Sequence, residues 1–92
     1  MTPVGYSADK EQLLKRLARI EGQVRGVAGM VEEERYCIDV LTQIAAIEAA
    51  LDRVALGLID EHTRHCVVAA EGDERSAKMD ELMNALARFV GR

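Results

Sequence analysis

The chain has 92 residues, 30% of them charged, a formal net charge of −4 and only three aromatic side chains, Tyr6, Tyr36 and Phe89. One proline and seven glycines are too little turn punctuation for a β-sandwich or barrel, so the composition points to an all-α protein with a single domain over residues 1–92. No stretch approaches the roughly 20 apolar residues that span a bilayer, and MTPVGYSADKEQ lacks the basic start and apolar run of a signal peptide. The expectation is a cytoplasmic chain with reduced cysteines and no membrane partner.

A domain this small buries only about 60% of its unfolded surface when it folds alone. It needs a staple: disulfides, a metal or a partner subunit. Two cysteines allow one disulfide at most. The acidic balance argues mildly against nucleic acid, but the charge is unevenly spread. Residues 1–31 carry five basic and three acidic side chains, whereas the remainder carries seven and thirteen. A basic first helix on an acidic body can still hold phosphate, because field and counterion release are local.

Residues 1–6 are expected to form a flexible tail. Ser7 suits a helix N-cap, with Asp9 and Glu11 in the first turn where the helix dipole favours them. Leu13, Leu17, Ile20, Val24, Val27 and Val31 then recur at steps of three and four, one apolar stripe on a helix of about seven turns. Glu32, Glu33 and Glu34 stand at its dipole-unfavourable end, where the helix should break. A second helix is expected from near Tyr36 to about Cys66, with Ile38, Leu41, Ile44, Ile47, Leu51, Val54 and Leu58 in step. Ala70–Asp73 reads as a linker. A third helix is expected from Ser76 to Val90, capped by Ser76 or Asp73, with Met79, Leu82, Met83, Leu86, Phe89 and Val90 on one face. Two long apolar seams and one short helix make a poor monomer. They are better buried against a second copy, as in an antiparallel four-helix bundle.

The residues that carry chemistry are Cys37, His62 and Cys66. His62 and Cys66 are spaced i, i+4 and share a helical face, half of a metal site. Cys37 precedes Cys66 by 29 residues, about 43 Å along an unbroken helix. One chain then cannot close the site or form the disulfide. An antiparallel partner helix brings Cys37 of one subunit beside His62 and Cys66 of the other, giving two symmetric Cys2His sites per dimer. Two thiolates and one imidazole suit copper(I), or zinc with a fourth ligand. His65 points about 100° away from Cys66 around the helix and is not expected to ligate.

The stretches Tyr36-Cys37-Ile38-Asp39-Val40-Leu41-Thr42-Gln43-Ile44, Asp60-Glu61-His62-Thr63-Arg64-His65-Cys66 and Arg16-Leu17-Ala18-Arg19-Ile20-Glu21-Gly22-Gln23-Val24-Arg25-Gly26 resemble the copper-sensitive operon repressor (CsoR) family. The resemblance covers about residues 10–90. It implies a three-helix protomer, an antiparallel four-helix-bundle dimer, and a dimer of dimers that binds operator DNA when metal-free and releases it on binding copper(I). Within the family, copper(I) sensors keep Cys, His and Cys, as at Cys37, His62 and Cys66. Nickel/cobalt sensors use extra histidines and a His in place of Cys66; persulfide sensors lack the histidine; formaldehyde sensors generally lack the second cysteine.

The resemblance further implies that Tyr36 and Glu81 couple the metal-bound histidine to the third helix. It also implies that Arg16 and Arg53 contact operator DNA. On a helical wheel Arg16 and Arg19 lie within about 60° of Gln12 and Gln23, so Arg19 and the neighbouring Lys15 join the DNA-binding candidates. Three readings compete with a repressor: a copper(I) or zinc buffer or chaperone that binds no DNA, a persulfide-responsive repressor of the same fold, and a purely structural adaptor. A Cys66–His62 enzyme is disfavoured, because the chain offers little substrate pocket and no oxyanion site. The expectation is that the protein is not an enzyme.

Overall fold

A computed structural model describes residues 5–90; residues 1–4, the start of the expected tail, lie outside the described part. The order is a short 3-10 turn (Ser7–Asp9), α1 (Lys10–Glu32), α2 (Cys37–His62), a π-helical turn (Thr63–Val67) and α3 (Gly72–Val90). There is no strand among the described residues. The described residues fall into two compact units: Asp9–Gly57, and the N-terminal residues up to Ala8 together with Leu58 onward.

The first unit is a helical hairpin. α1 ends where the three glutamates begin, and its end is closed by backbone bonds. The Glu34 N–H donates to the Val31 carbonyl (3.0 Å) and the Arg35 N–H to the Met30 carbonyl (2.9 Å). This is a Schellman pattern, with Glu34 in the left-handed region at φ 56°. That position usually belongs to glycine, since an L side chain there meets its own backbone. The short connection turns the chain back, so α2 runs antiparallel to α1.

Inside the hairpin the apolar stripe of α1 divides. Leu13 and Ile20 are buried and Val27 half-buried, a row with a seven-residue step, while Leu17, Val24 and Val31 form a second row that is exposed. α2 does the same: Val40, Ile47 and Val54 form the inner row, and Leu41, Ile44 and Leu51 stay exposed. Each helix thus has a seven-residue apolar repeat for its neighbour and a second apolar set that its own chain leaves uncovered, at steps of seven on α1 and of three and seven on α2, the pattern of helices packed on more than one side.

The second unit joins the end of α2 to α3 through the π-turn, which packs against α3. Val67 is 1% exposed, and Cys66 and Ala70 are buried beside it. α3 begins at Gly72 (φ 57°), four residues before the expected Ser76. Gly72 tolerates the reversed backbone at the corner, and Asp73 and Glu74 then occupy the first turn, where carboxylates oppose the dipole favourably. At the N-terminus, neither Ser7 nor Asp9 caps α1 with its side chain; Ser7 is instead drawn into the 3-10 turn. Gly5, expected within a loose tail, is buried.

Candidate metal centre

α2 passes into the π-turn without a break: His62 and Val68, on either side of it, keep right-handed helical dihedrals. The widened turn is visible in the bond from the Val68 N–H to the Thr63 carbonyl (2.9 Å), five residues back. The Thr63 hydroxyl donates to the Ile59 carbonyl at 2.8 Å, a back-bond that loosens a helix at the same place. The turn therefore widens the helix between the two ligand candidates, which remain i, i+4 in sequence. Such widened turns are frequent at functional sites.

The Cys66 thiol and the His62 backbone both lie against Gly5. A Cβ built on Gly5 would lie 3.2 Å from the Cys66 Sγ and 3.2 Å from the His62 Cα. Gly5 sits there at φ 90°, a conformation open to glycine alone at little cost. With the N-terminal segment laid against it, the Cys66 thiol is 6% exposed. The neighbouring His65 is turned to the outside, where its Nε2 lies 3.0 Å from a Glu61 carboxylate oxygen.

His62 also lines an apolar cavity of about 330 Å³ with Tyr6, Leu58, Ile59, Glu81, Leu82 and Ala85. His62 and Glu81 thus share one cavity wall. Tyr6 was overlooked in the sequence; an aromatic directly after a glycine, just ahead of a helix, was the available signal. Cys37 is the exposed first residue of α2, and Tyr36 before it is 70% exposed; both belong to the other unit. Among the described residues, no group of three Cys, His, Asp or Glu side chains comes together as a metal cage.

In the hairpin unit, Arg16, Arg19 and Gln23 of α1 and Arg53 of α2 line an open cleft of about 450 Å³, with Ile20, Ala46, Ala49 and Ala50 as its apolar wall. Small alanines leave the space, and three guanidiniums surround it. No ion pair between described residues engages these three arginines, whereas Arg25 is held by Glu21 at 2.6 Å. Lys15 is exposed on α1, outside the lining of the cleft.

A family model described as metal-sensitive transcriptional repressor matches residues 9–88. The chain belongs to that family. Its members are transcriptional regulators, and a Cys and a His at a widened helical turn in one unit, with a basic cleft in the other, are in keeping with metal-sensitive repression. A copper-sensing transcriptional repressor, RicR, of Mycobacterium tuberculosis (strain ATCC 25618 / H37Rv) is 54% identical over 89 residues, 94% of this chain and 93% of its own length. The crystal structure of the copper-sensing repressor CsoR with Cu(I) from Geobacillus thermodenitrificans NG80-2 superposes with a TM-score of 0.88 at 46% identity, covering 98% of this chain and 94% of the other. The nickel-responsive transcriptional regulator InrS is also 46% identical, with a TM-score of 0.74 over 86% of this chain and 90% of its own. Equal identity to a copper and a nickel responder leaves the choice of metal to the donor atoms. No helix among the described residues is long and apolar enough to cross a membrane.

Proposed function

We propose that this chain is a cytoplasmic copper(I)-responsive transcriptional repressor, which binds operator DNA when metal-free and releases it on binding copper(I). The observation that carries the reading is the convergence of the His62 backbone and the buried Cys66 Sγ on Gly5, in a chain whose described residues supply no third ligand to them. A second thiolate, Cys37 from another subunit, completes a Cys2His set. Two soft thiolates and an imidazole fit copper(I), which accepts three ligands of this kind and dispenses with the harder donors other metals need. His65, engaged by Glu61, is left out.

The exposed apolar rows support an antiparallel dimer as the minimum unit, pairing further into a tetramer. Leu17, Val24 and Val31 on α1 and Leu41, Ile44 and Leu51 on α2 are uncovered in the single chain. Between 37% and 60% of each remains exposed, and burying that remainder is worth about 0.5–2 kcal/mol per side chain, which summed over six is a strong drive to associate. The dimer would carry two copper sites, each drawing ligands from both chains.

The cleft of Arg16, Arg19 and Arg53 supports phosphate binding, with Lys15 beside it on α1. When copper binds, the imidazole of His62 is fixed by one nitrogen and its other N–H becomes a directed donor. Glu81, which shares the cavity with His62, is the acceptor of this proposal, and Tyr36 a further partner. The signal then passes through α3 to the DNA-binding surface.

The test is titration of operator-type DNA with apo and copper(I)-loaded protein. Copper should weaken DNA affinity about 5- to 150-fold, the usual range of an allosteric coupling. A mixture of Cys37→Ala and Cys66→Ala chains should recover one tight copper site per heterodimer. Copper binding that leaves DNA affinity unchanged would favour a copper buffer; failure of the mixture to recover a site would refute ligation across subunits.

A further inference from the structure

We propose that Arg75 is a positioning residue for Cys66. From the first turn of α3 it clamps the carbonyls that follow the π-turn and so holds the buried thiol in place. This rests on the reading of Cys66 as a ligand. The Arg75 Nε–H donates to the Ala70 carbonyl at 2.8 Å, and an Nη2–H donates to the Val68 carbonyl at 2.9 Å. The Arg75 backbone N–H also approaches the Glu71 carbonyl, at 3.4 Å.

A guanidinium suits this corner. The helical run that carries His62 and Cys66 ends at Val68, and helix C-termini leave carbonyls without intrahelical partners. A cation at such an end meets both unsatisfied oxygens and the negative end of the dipole. At the start of α3 the same charge is badly placed for the dipole of its own helix, where Asp73 and Glu74 are well placed. The first turn of α3 gains nothing electrostatically from Arg75, so its benefit lies in the corner. Only Arg serves two carbonyls at once through a rigid planar fork; the Lys ammonium has three N–H donors, but they radiate from one atom and cannot span the two oxygens in the same geometry.

The clamped segment is short and joined directly to the ligand. Cys66 is two residues from Val68, and between them Val67 is the most deeply buried residue described, at 1% exposure. The π-turn packs on α3, and Arg75 is the side chain that ties α3 to the end of that turn by hydrogen bonds. Releasing it frees the corner to open, exposing Sγ and loosening the geometry in which the thiolate meets a metal.

The experiment compares wild type with Arg75→Ala and Arg75→Lys, each confirmed folded and in the same oligomeric state. In apo protein, the rates of iodoacetamide alkylation at Cys66 and Cys37 are followed by peptide mass spectrometry. The ratio of the Cys66 to the Cys37 rate should rise about tenfold in Arg75→Ala, the equivalent of about 1.4 kcal/mol of lost closure. Arg75→Lys should fall between the two. In loaded protein, copper(I) transfer to a colorimetric chelator should be faster in the same order, with the ultraviolet copper–thiolate band retained. A wild-type ratio within twofold in folded Arg75→Ala overturns the clamp. Wild type that takes up no copper(I) refutes the ligand reading instead, and the alkylation ratio still judges Arg75.

Discussion

Gly5→Ala places one methyl group where the N-terminal segment meets the candidate ligands. Its Cβ would stand 3.2 Å from both the His62 Cα and the Cys66 Sγ, and 3.5 Å from the Glu61 carbonyl oxygen. Two of these three neighbours are backbone and cannot rotate away. The residue would also have to keep φ at 90°. A non-glycine residue held in such a sparsely populated region costs about 1–3 kcal/mol. Among its described residues, the segment lies against the rest of its unit at Gly5, Tyr6, Ser7 and Ala8, and so short a terminal stretch has little docking energy to lose. At about 2 kcal/mol the ratio of docked to undocked segment falls roughly thirtyfold, so the segment should come away far more often. The fold should survive, because α1 and α3 do not depend on Gly5. Hydrogen exchange should accelerate at residues 5–8 and 62–67 and stay unchanged at 40–54. Copper(I) affinity, measured by competition with a chelator, should fall between threefold and thirtyfold, the larger figure being the full docking cost. Wild-type exchange at 62–67 together with wild-type copper affinity would refute the reasoning.

Arg16→Ala and Arg53→Ala should each weaken DNA binding while leaving copper(I) affinity within twofold. Each lost phosphate contact should lower the salt slope by about one, so that the loss of affinity from 50 to 200 mM salt becomes about threefold smaller per contact; an unchanged slope in both variants removes the cleft from the interface. Glu81→Ala should bind copper(I) with the same three ligands but release DNA less completely, as read by DNA titration of apo and loaded variant; full release would place the relay elsewhere. Glu34→Gly relieves a left-handed glutamate and removes one of three carboxylates at the C-terminal end of α1. It should stabilise the protein by about 1 kcal/mol, and a melting temperature unchanged or lowered would show that Glu34 makes a compensating contact.

The helices themselves were legible because their signal is local. Steps of three and four mark α1, α2 and α3 whatever the packing. The division of each stripe into an inner and an uncovered row was not legible. Leu13 and Leu17 look alike in sequence, and only the hairpin decides that Leu13 turns inward while Leu17 stays uncovered. The π-turn was hidden for a similar reason: its extra residue fits because Gly5 packs against His62 and Cys66, a contact from the other end of the chain. Thr63 was its one local trace. α3 started early because Gly72 accepted φ 57° and let the acidic pair begin the helix, where Ser76 had looked the better cap. For the site, Cys66 and His62 were visible as a spacing; that the Cys66 thiol and the His62 backbone both lie against Gly5 was not. Tyr6 and Gly5 were missed, because a short N-terminal stretch with no periodicity reads as tail.

A sensor needs its ligand to favour one state over another, and a metal bound equally well by all states would shift nothing. In this family member the two features that could give such a preference lie in the same stretch. The widened turn is an alternative helical geometry, and one candidate ligand, His62, stands directly before it while the other, Cys66, lies within it. If a third ligand comes from another subunit, occupancy of the metal also stabilises the assembled form, by RT ln(1 + [L]/Kd) for each site. On that proposal the assembly would in turn fix where the arginine cleft of each subunit is presented to DNA. Coupling is reciprocal, so DNA must weaken copper(I) binding by the same factor that copper(I) weakens DNA binding. That equality links the two halves of the proposal in one number. A Cys2His site with no effect on DNA would have a factor of one in both directions, however tightly it held its metal.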